Sequence, residues 1–151
     1  SVEEIKEILS AAPGATILGY SDLGNEGTNA YILAHKGKMV AEIPKMGGGN
    51  GVDHPALEWG IKAKQRPTSP VIFITDGGVC GKNSGFIDAL AMQCIKTIIR
   101  NNVLVYEHVE DSVKALKAMS RGEKPVRNWP YMFKSVWYRQ MGTRLTVNTG
   151  L

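Results

Sequence analysis

No stretch of this sequence comes near the run of about eighteen apolar residues that a membrane-crossing helix requires. Cysteine is equally scarce. Cys80 and Cys94 make neither a disulfide framework nor a CxxC metal knuckle. Both read as plain thiols, Cys80 in a loop and Cys94 on the buried face of a helix, which suits a reducing compartment and a cytoplasmic location. The three histidines, His35, His54 and His108, are too scattered for a metal triad, and His54 reads as part of a helix's first turn. The opening SVEEIKEIL has neither the basic n-region nor the apolar h-region of a secretory signal. It has no initiator Met, and it starts on a Ser-x-x-Glu capping box, so a strand is expected upstream in a longer parent chain.

What is present suits one globular domain. The chain has 151 residues, 43% hydrophobic and 21% charged, enough to bury a core without metal or disulfide staples. Its net charge of +4 is unevenly spread. From Ser120 onward six Lys or Arg (Arg121, Lys124, Arg127, Lys134, Arg139, Arg144) face one acid, Glu123. The preceding residues hold twelve basic and thirteen acidic side chains, so any basic patch belongs to the tail.

Periodicity orders the elements. Val2, Ile5, Ile8 and Leu9 share a helical face that ends at Pro13-Gly14. Residues 15–20 (ATILGY) read as a short buried strand. Residues 29–35 and 39–43 flank Lys36-Gly37-Lys38 and predict a hairpin with a three-residue turn. After PKMGGGNGVD, Asp53 caps a helix carrying Leu57 and Ile61 to about Lys64. Residues 70–75 (PVIFIT) have the unbroken apolar character of a central strand. Phe86, Leu90, Ala91, Cys94, Ile95 and Ile98 then mark an amphipathic helix to about Arg100, and residues 103–107 another strand. Asp111 caps a last helix with Val113, Leu116 and Met119 inward. Alternation of this kind implies an α/β fold: a Rossmann-like three-layer sandwich, its sheet mostly parallel with one antiparallel strand and helices on both faces. The expected division is an α/β domain over 1–119 and a basic, aromatic C-terminal extension over 120–151.

The glycine loops are where chemistry is expected, because ligands in such sheets bind beyond the carboxyl ends of the strands. In VIFITDGGVCGKNSG (71–85) a phosphate loop fails at two fixed positions: Asp76 stands where the opening glycine belongs, and Asn83 where a hydroxyl is needed. A carboxylate inside a phosphate nest repels its ligand. Magnesium is a better match, since it needs only a few oxygen donors from separate loops. Asp76, the pair Ser21-Asp22 after the first strand, and Asn50 in GGGNG supply such donors. The plainer alternative is that Asp22 and Asp76 cap helices or turns. Cys80 lies near Lys82, which favours thiolate, but no histidine is placed beside it. Ser84 and Ser21 likewise have no visible base.

GGGNGVDHPALEWGI followed by PVIFITDGG resembles the von Willebrand factor A-like domain. The strand ending Gly-Tyr-Ser-Asp and the hairpin after it match that family's second and antiparallel third strands, and the likeness runs from about Ser1 to Met119. The resemblance implies a metal-ion-dependent adhesion site whose magnesium takes a carboxylate from a protein partner. By position, Asp76 matches the family's last metal ligand and Asn50 stands where Thr is expected. No Asp-x-Ser-x-Ser motif occurs in the sequence, so the site is expected to be degenerate or incomplete, with little metal affinity in this chain alone. On this reading the chain is an interaction module for another protein and not an enzyme. A magnesium-dependent hydrolase using Asp22 and Asp76 is the enzymatic alternative.

The tail gives a further alternative. RNWPYMFKSVWYRQ holds five of the chain's eleven aromatics among Arg127, Lys134 and Arg139. Aromatic rings interleaved with cations are what single-stranded nucleic acid binding uses. The competing expectation is that Trp129, Phe133, Val136 and Trp137 form a stripe at helical spacing that packs on the domain or on a neighbour.

Overall fold

The fold is that of a computed structural model, which describes residues 2–12, 14–22, 28–35, 38–39, 53–63, 66–75, 77 and 84–146. It is α/β. In chain order the elements are α1 (Val2–Ala11), β1 (Thr16–Asp22), β2 (Thr28–His35), β3 (Lys38–Met39), α2 (Asp53–Ala63), β4 (Val71–Ile74), α3 (Ser84–Arg100), β5 (Leu104–Tyr106), α4 (Val109–Ser120) and α5 (Tyr131–Met141). The strands form one sheet in the order β3-β2-β1-β4-β5. β1, β4 and β5 are parallel neighbours, while β2 runs antiparallel to both β1 and β3. The β2–β3 register pairs His35 with Lys38, so two residues separate the strands there, not the three expected.

Side-chain alternation along the parallel strands divides the core in two. Leu18, Val71, Phe73, Val103 and Val105 join Leu57 of α2, the inner face of α3 and Phe133, Val136 and Trp137 of α5. Ile17, Ile72, Leu104 and Tyr106 point the other way, to Ile8 of α1 and Val113, Ala115 and Leu116 of α4. β4 therefore feeds both clusters, which explains why its sequence is apolar throughout. Leu90, Ala91, Cys94, Ile95 and Ile98 all lie on the packed face of α3, and Cys94 is fully buried there. α2 comes so close to the sheet that a Cβ on Gly60 would stand 2.6 Å from Leu18 Cδ1.

Two expectations at α4 are corrected. The helix begins at Val109 behind His108, whose φ of −123° and ψ of 138° are extended, so Asp111 lies inside the first turn and not at the cap. With Glu110 it places negative charge where the helix dipole favours it. Met119, expected inward, is 42% exposed in the last turn of the helix. There the chain closes with a Schellman arrangement: the N–H of Gly122 (φ 78°) donates to Met119 O, and that of Glu123 to Ala118 O.

Residues 121–130 carry the chain from the face holding α4 to the face holding α5, past β5 at the end of the strand order. Polar bonds tie this crossing down. Tyr106 Oη donates to Val126 O at 3.1 Å, and burial pushes that phenol's pKa up, keeping the donor protonated. Arg127 Nη2 donates to Asn102 Oδ1.

α5 then docks as the tail's apolar spacing predicts. Phe133 is 0% exposed, Val136 and Trp137 are buried with it, and Trp129 meets Phe133 edge-on at 6.5 Å between ring centroids. The helix is pinned to α3 by Asp88, a buried carboxylate. Asp88 accepts from Arg139 Nη2 at 2.8 Å, from Arg139 Nε at 3.2 Å and from Gln140 Nε2 at 3.2 Å. The Arg139 bonds outweigh desolvation and hold the Asp88 pKa below its ordinary 3.8.

Phe133→Ala should lower the unfolding free energy by about 3–5 kcal/mol in urea titration, with Phe133→Leu costing clearly less. The Asp88 carboxylate is stabilised in the folded state, so its contribution is present above its unfolded pKa and is lost as pH falls through the lower folded value. Asp88→Asn should therefore flatten the loss of stability from pH 3.8 downward, measured by urea midpoints across the acid range.

Candidate functional site

The carboxyl ends of β1, β4 and β5 leave the sheet on one edge, because the three strands are parallel and adjacent. β1 and β4 are paired Thr16 to Val71 through Gly19 to Ile74. Ser21 and Asp22, the last residues of β1, therefore continue beyond that register toward the edge that β4 reaches at Thr75. Both are also held in the antiparallel ladder, Ser21 opposite Asn29 and Asp22 opposite Thr28. Asp76 and Asn50 lie outside the described residues, as do Cys80 and Lys82. Ser84 is the first residue of α3.

The turn after β4 is described on either side of Asp76. The backbone N–H of Thr75 donates to Tyr106 O at 2.9 Å, extending the β4–β5 ladder by one residue. The Thr75 side chain is buried, and its Oγ1 accepts from the N–H of Gly77 at 2.9 Å. This hydroxyl-to-backbone bond is a turn device that Thr supplies and an apolar residue would not. Gly77 has φ 82°, in the left-handed region, and a Cβ there would stand 3.2 Å from the Phe133 ring and from the Phe133 backbone nitrogen. The Thr-Asp-Gly sequence thus serves packing as well as any ligand: glycine lets the chain turn and lets α5 close over it.

Next to this edge, the end of β5 and the start of α5 enclose a cavity of about 220 Å³. Glu107, His108, Asp111, Asn128 and Lys134 contribute its polar lining. Glu107 Oε1 accepts from the Tyr131 N–H at 2.9 Å, so a carboxylate caps the first turn of α5 and meets the positive end of its dipole. Sequence reasoning missed this pairing. The only local signal is a Pro-Tyr helix start with no capping side chain of its own, which leaves an N–H in need of an acceptor. Among the described residues no group of three or more His, Cys, Asp or Glu is arranged to hold a metal ion, and no helix is long and apolar enough to cross a membrane.

Gly77→Ala should cost about 1–2 kcal/mol from the left-handed backbone alone, with the approach to Phe133 adding to it. The urea midpoint should fall, and the near-ultraviolet tryptophan signal should change as α5 loosens. An unchanged midpoint and signal would show that the turn does not need glycine.

Compared with protein-family models, with curated proteins and with solved structures, the chain matches none.

Proposed function

We propose that this chain is a protein-interaction module of von Willebrand factor A-like type, built as a Rossmann-like three-layer sandwich, with the carboxyl edge of β1, β4 and β5 as its partner-facing surface. The observation that carries the reading is the parallel register of β1 with β4. It directs the Ser21-Asp22 end and the Thr75 end, with Asp76 next in sequence, off the same edge of the sheet. The donor set is chemically consistent with magnesium: Asp76 and Asp22 offer carboxylates, Asn50 an amide oxygen and Ser21 a hydroxyl, all hard oxygen ligands. With so few charged donors this chain alone holds the ion weakly, and a carboxylate from a protein partner completes the shell. Asp76 and Asn50 are the principal donors in this reading, and Asp22 and Ser21 the substitutes for the missing Asp-x-Ser-x-Ser segment.

Manganese, which accepts the same oxygen donors, gives a direct test by electron paramagnetic resonance of the free ion. Weak binding is expected at millimolar metal, lost in Asp76→Ala and retained in Asp111→Asn, whose side chain lines the neighbouring cavity. A short peptide with one Asp should tighten the ion's binding, because its carboxylate fills an open position. Metal binding that ignores Asp76→Ala would sink the site, and metal binding that ignores the peptide would sink the interaction reading.

A further inference from the structure

The burial of Phe133, Val136 and Trp137 fixes which residues α5 turns outward. At 100° per residue, Tyr131, Lys134, Ser135 and Tyr138 fall on the side opposite that buried stripe. Tyr131 is 70% exposed and Tyr138 62% exposed, which is unusual for rings of this size on a helix whose other face is packed. At Gly142 (φ 73°) the helix ends and the chain turns back, with Trp137 Nε1 donating to Thr143 Oγ1 at 3.3 Å. Leu145 re-enters the core. The returning residues 144–146 and the outer side of α5 enclose an open groove of about 550 Å³. Its lining holds the two tyrosines with Lys134, Arg139 and Arg144 and, among the described residues, no carboxylate.

We propose that this groove binds single-stranded nucleic acid, the two tyrosines stacking on bases and the cations meeting backbone phosphates. Charge complementarity sets the class of occupant. The segment from Ser120 carries six basic residues against one acid, and that acid, Glu123, is taken up by Arg121 at 3.1 Å. Among the described residues, the carboxylates of Asp88 and Glu107 already accept bonds from α5. The exposed rings decide between polyanions. An acidic peptide would use the cations but leave two tyrosines wet, whereas every base has a π-face to cover them. Seven residues separate Tyr131 from Tyr138, about 10 Å along the axis, so the rings engage separate bases of one strand with Lys134 between them. Arg139 is bidentate to Asp88 and serves chiefly to hold the helix, which leaves Lys134 as the cation whose removal is informative.

The test uses fluorescence anisotropy of a labelled oligothymidylate of about sixteen nucleotides with the whole chain. Binding is expected at low salt and should weaken steeply between about 50 and 200 mM. Tyr131→Ala and Tyr138→Ala should each weaken it by at least about fivefold, while Tyr138→Phe, which keeps the ring, should bind as the unaltered chain does. Lys134→Ala should lower the slope of log affinity against log salt by about 0.7. All three side chains are on the surface, so circular dichroism and urea midpoints should not move. Equal affinity for the tyrosine-to-alanine variants, equal affinity for a duplex of the same length, or tighter binding of polyglutamate would each overturn the proposal. So would self-association of the chain, seen by light scattering, that the tyrosine-to-alanine changes abolish while oligonucleotide binding is nil. None of these outcomes depends on Asp76 or on metal.

Discussion

Phe133 seated against Gly77 joins the two ends of the chain's logic. β4 has only four residues in the ladder, and its side chains alternate between two clusters, so the residues that follow it must close one cluster without crowding the other. A Cβ at position 77 would stand 3.2 Å from the Phe133 ring and backbone nitrogen, tighter than an ordinary contact. Without α5 the cluster containing Phe73, Val103 and Val105 would lose Phe133, Val136 and Trp137, which are among its bulkier members. Burial of such side chains is worth roughly 1.5–3 kcal/mol each, a large share of any domain's net stability. The turn after β4 is therefore constrained from two sides: by the backbone conformation it adopts and by the helix that lies on it.

Much of this was legible from pattern alone. The unbroken apolar run of β4, the α3 face from Leu90 to Ile98 and the i, i+3, i+4 spacing of Phe133, Val136 and Trp137 each report a burial periodicity that needs no knowledge of partners. The strand order was a different matter, because pairing β1 directly with β4 joins segments about fifty residues apart whose local sequences do not name one another. Asp88 was invisible for a related reason. A carboxylate near the start of a helix reads as solvated until a guanidinium fifty-one positions later arrives to take it. Asp111 looked like a cap because Asp often is one, yet the extended conformation fell to His108. The candidate metal residues are the hardest case. Glycine loops have no periodicity, so Asp76 and Asn50 rest on motif likeness, and only the backbone ends of β1 and β4 that lead toward them are described.

The two cavities beside α5 differ in the charge of their linings. At the carboxyl edge, Asp22 ends β1 and Glu107 follows β5. The outer side of α5 gathers cations and rings. Tyr131 and Lys134 line both the cavity beside Glu107 and the groove outside α5, so the two surfaces adjoin at the first turns of that helix.

Apolar contacts determine how deep a docked helix sits but discriminate poorly between neighbouring rotational settings, since one aliphatic surface resembles the next. Directional bonds remove that ambiguity. In α5 they occur at both ends: Glu107 takes the N–H of Tyr131, and Asp88 takes the fork of Arg139. Rotating the helix by a single residue would swing each donor about 100° from its acceptor. An inward-facing carboxylate of α3 thus acts as the index pin of a dial, and what the dial displays to solvent is the pair of tyrosine rings.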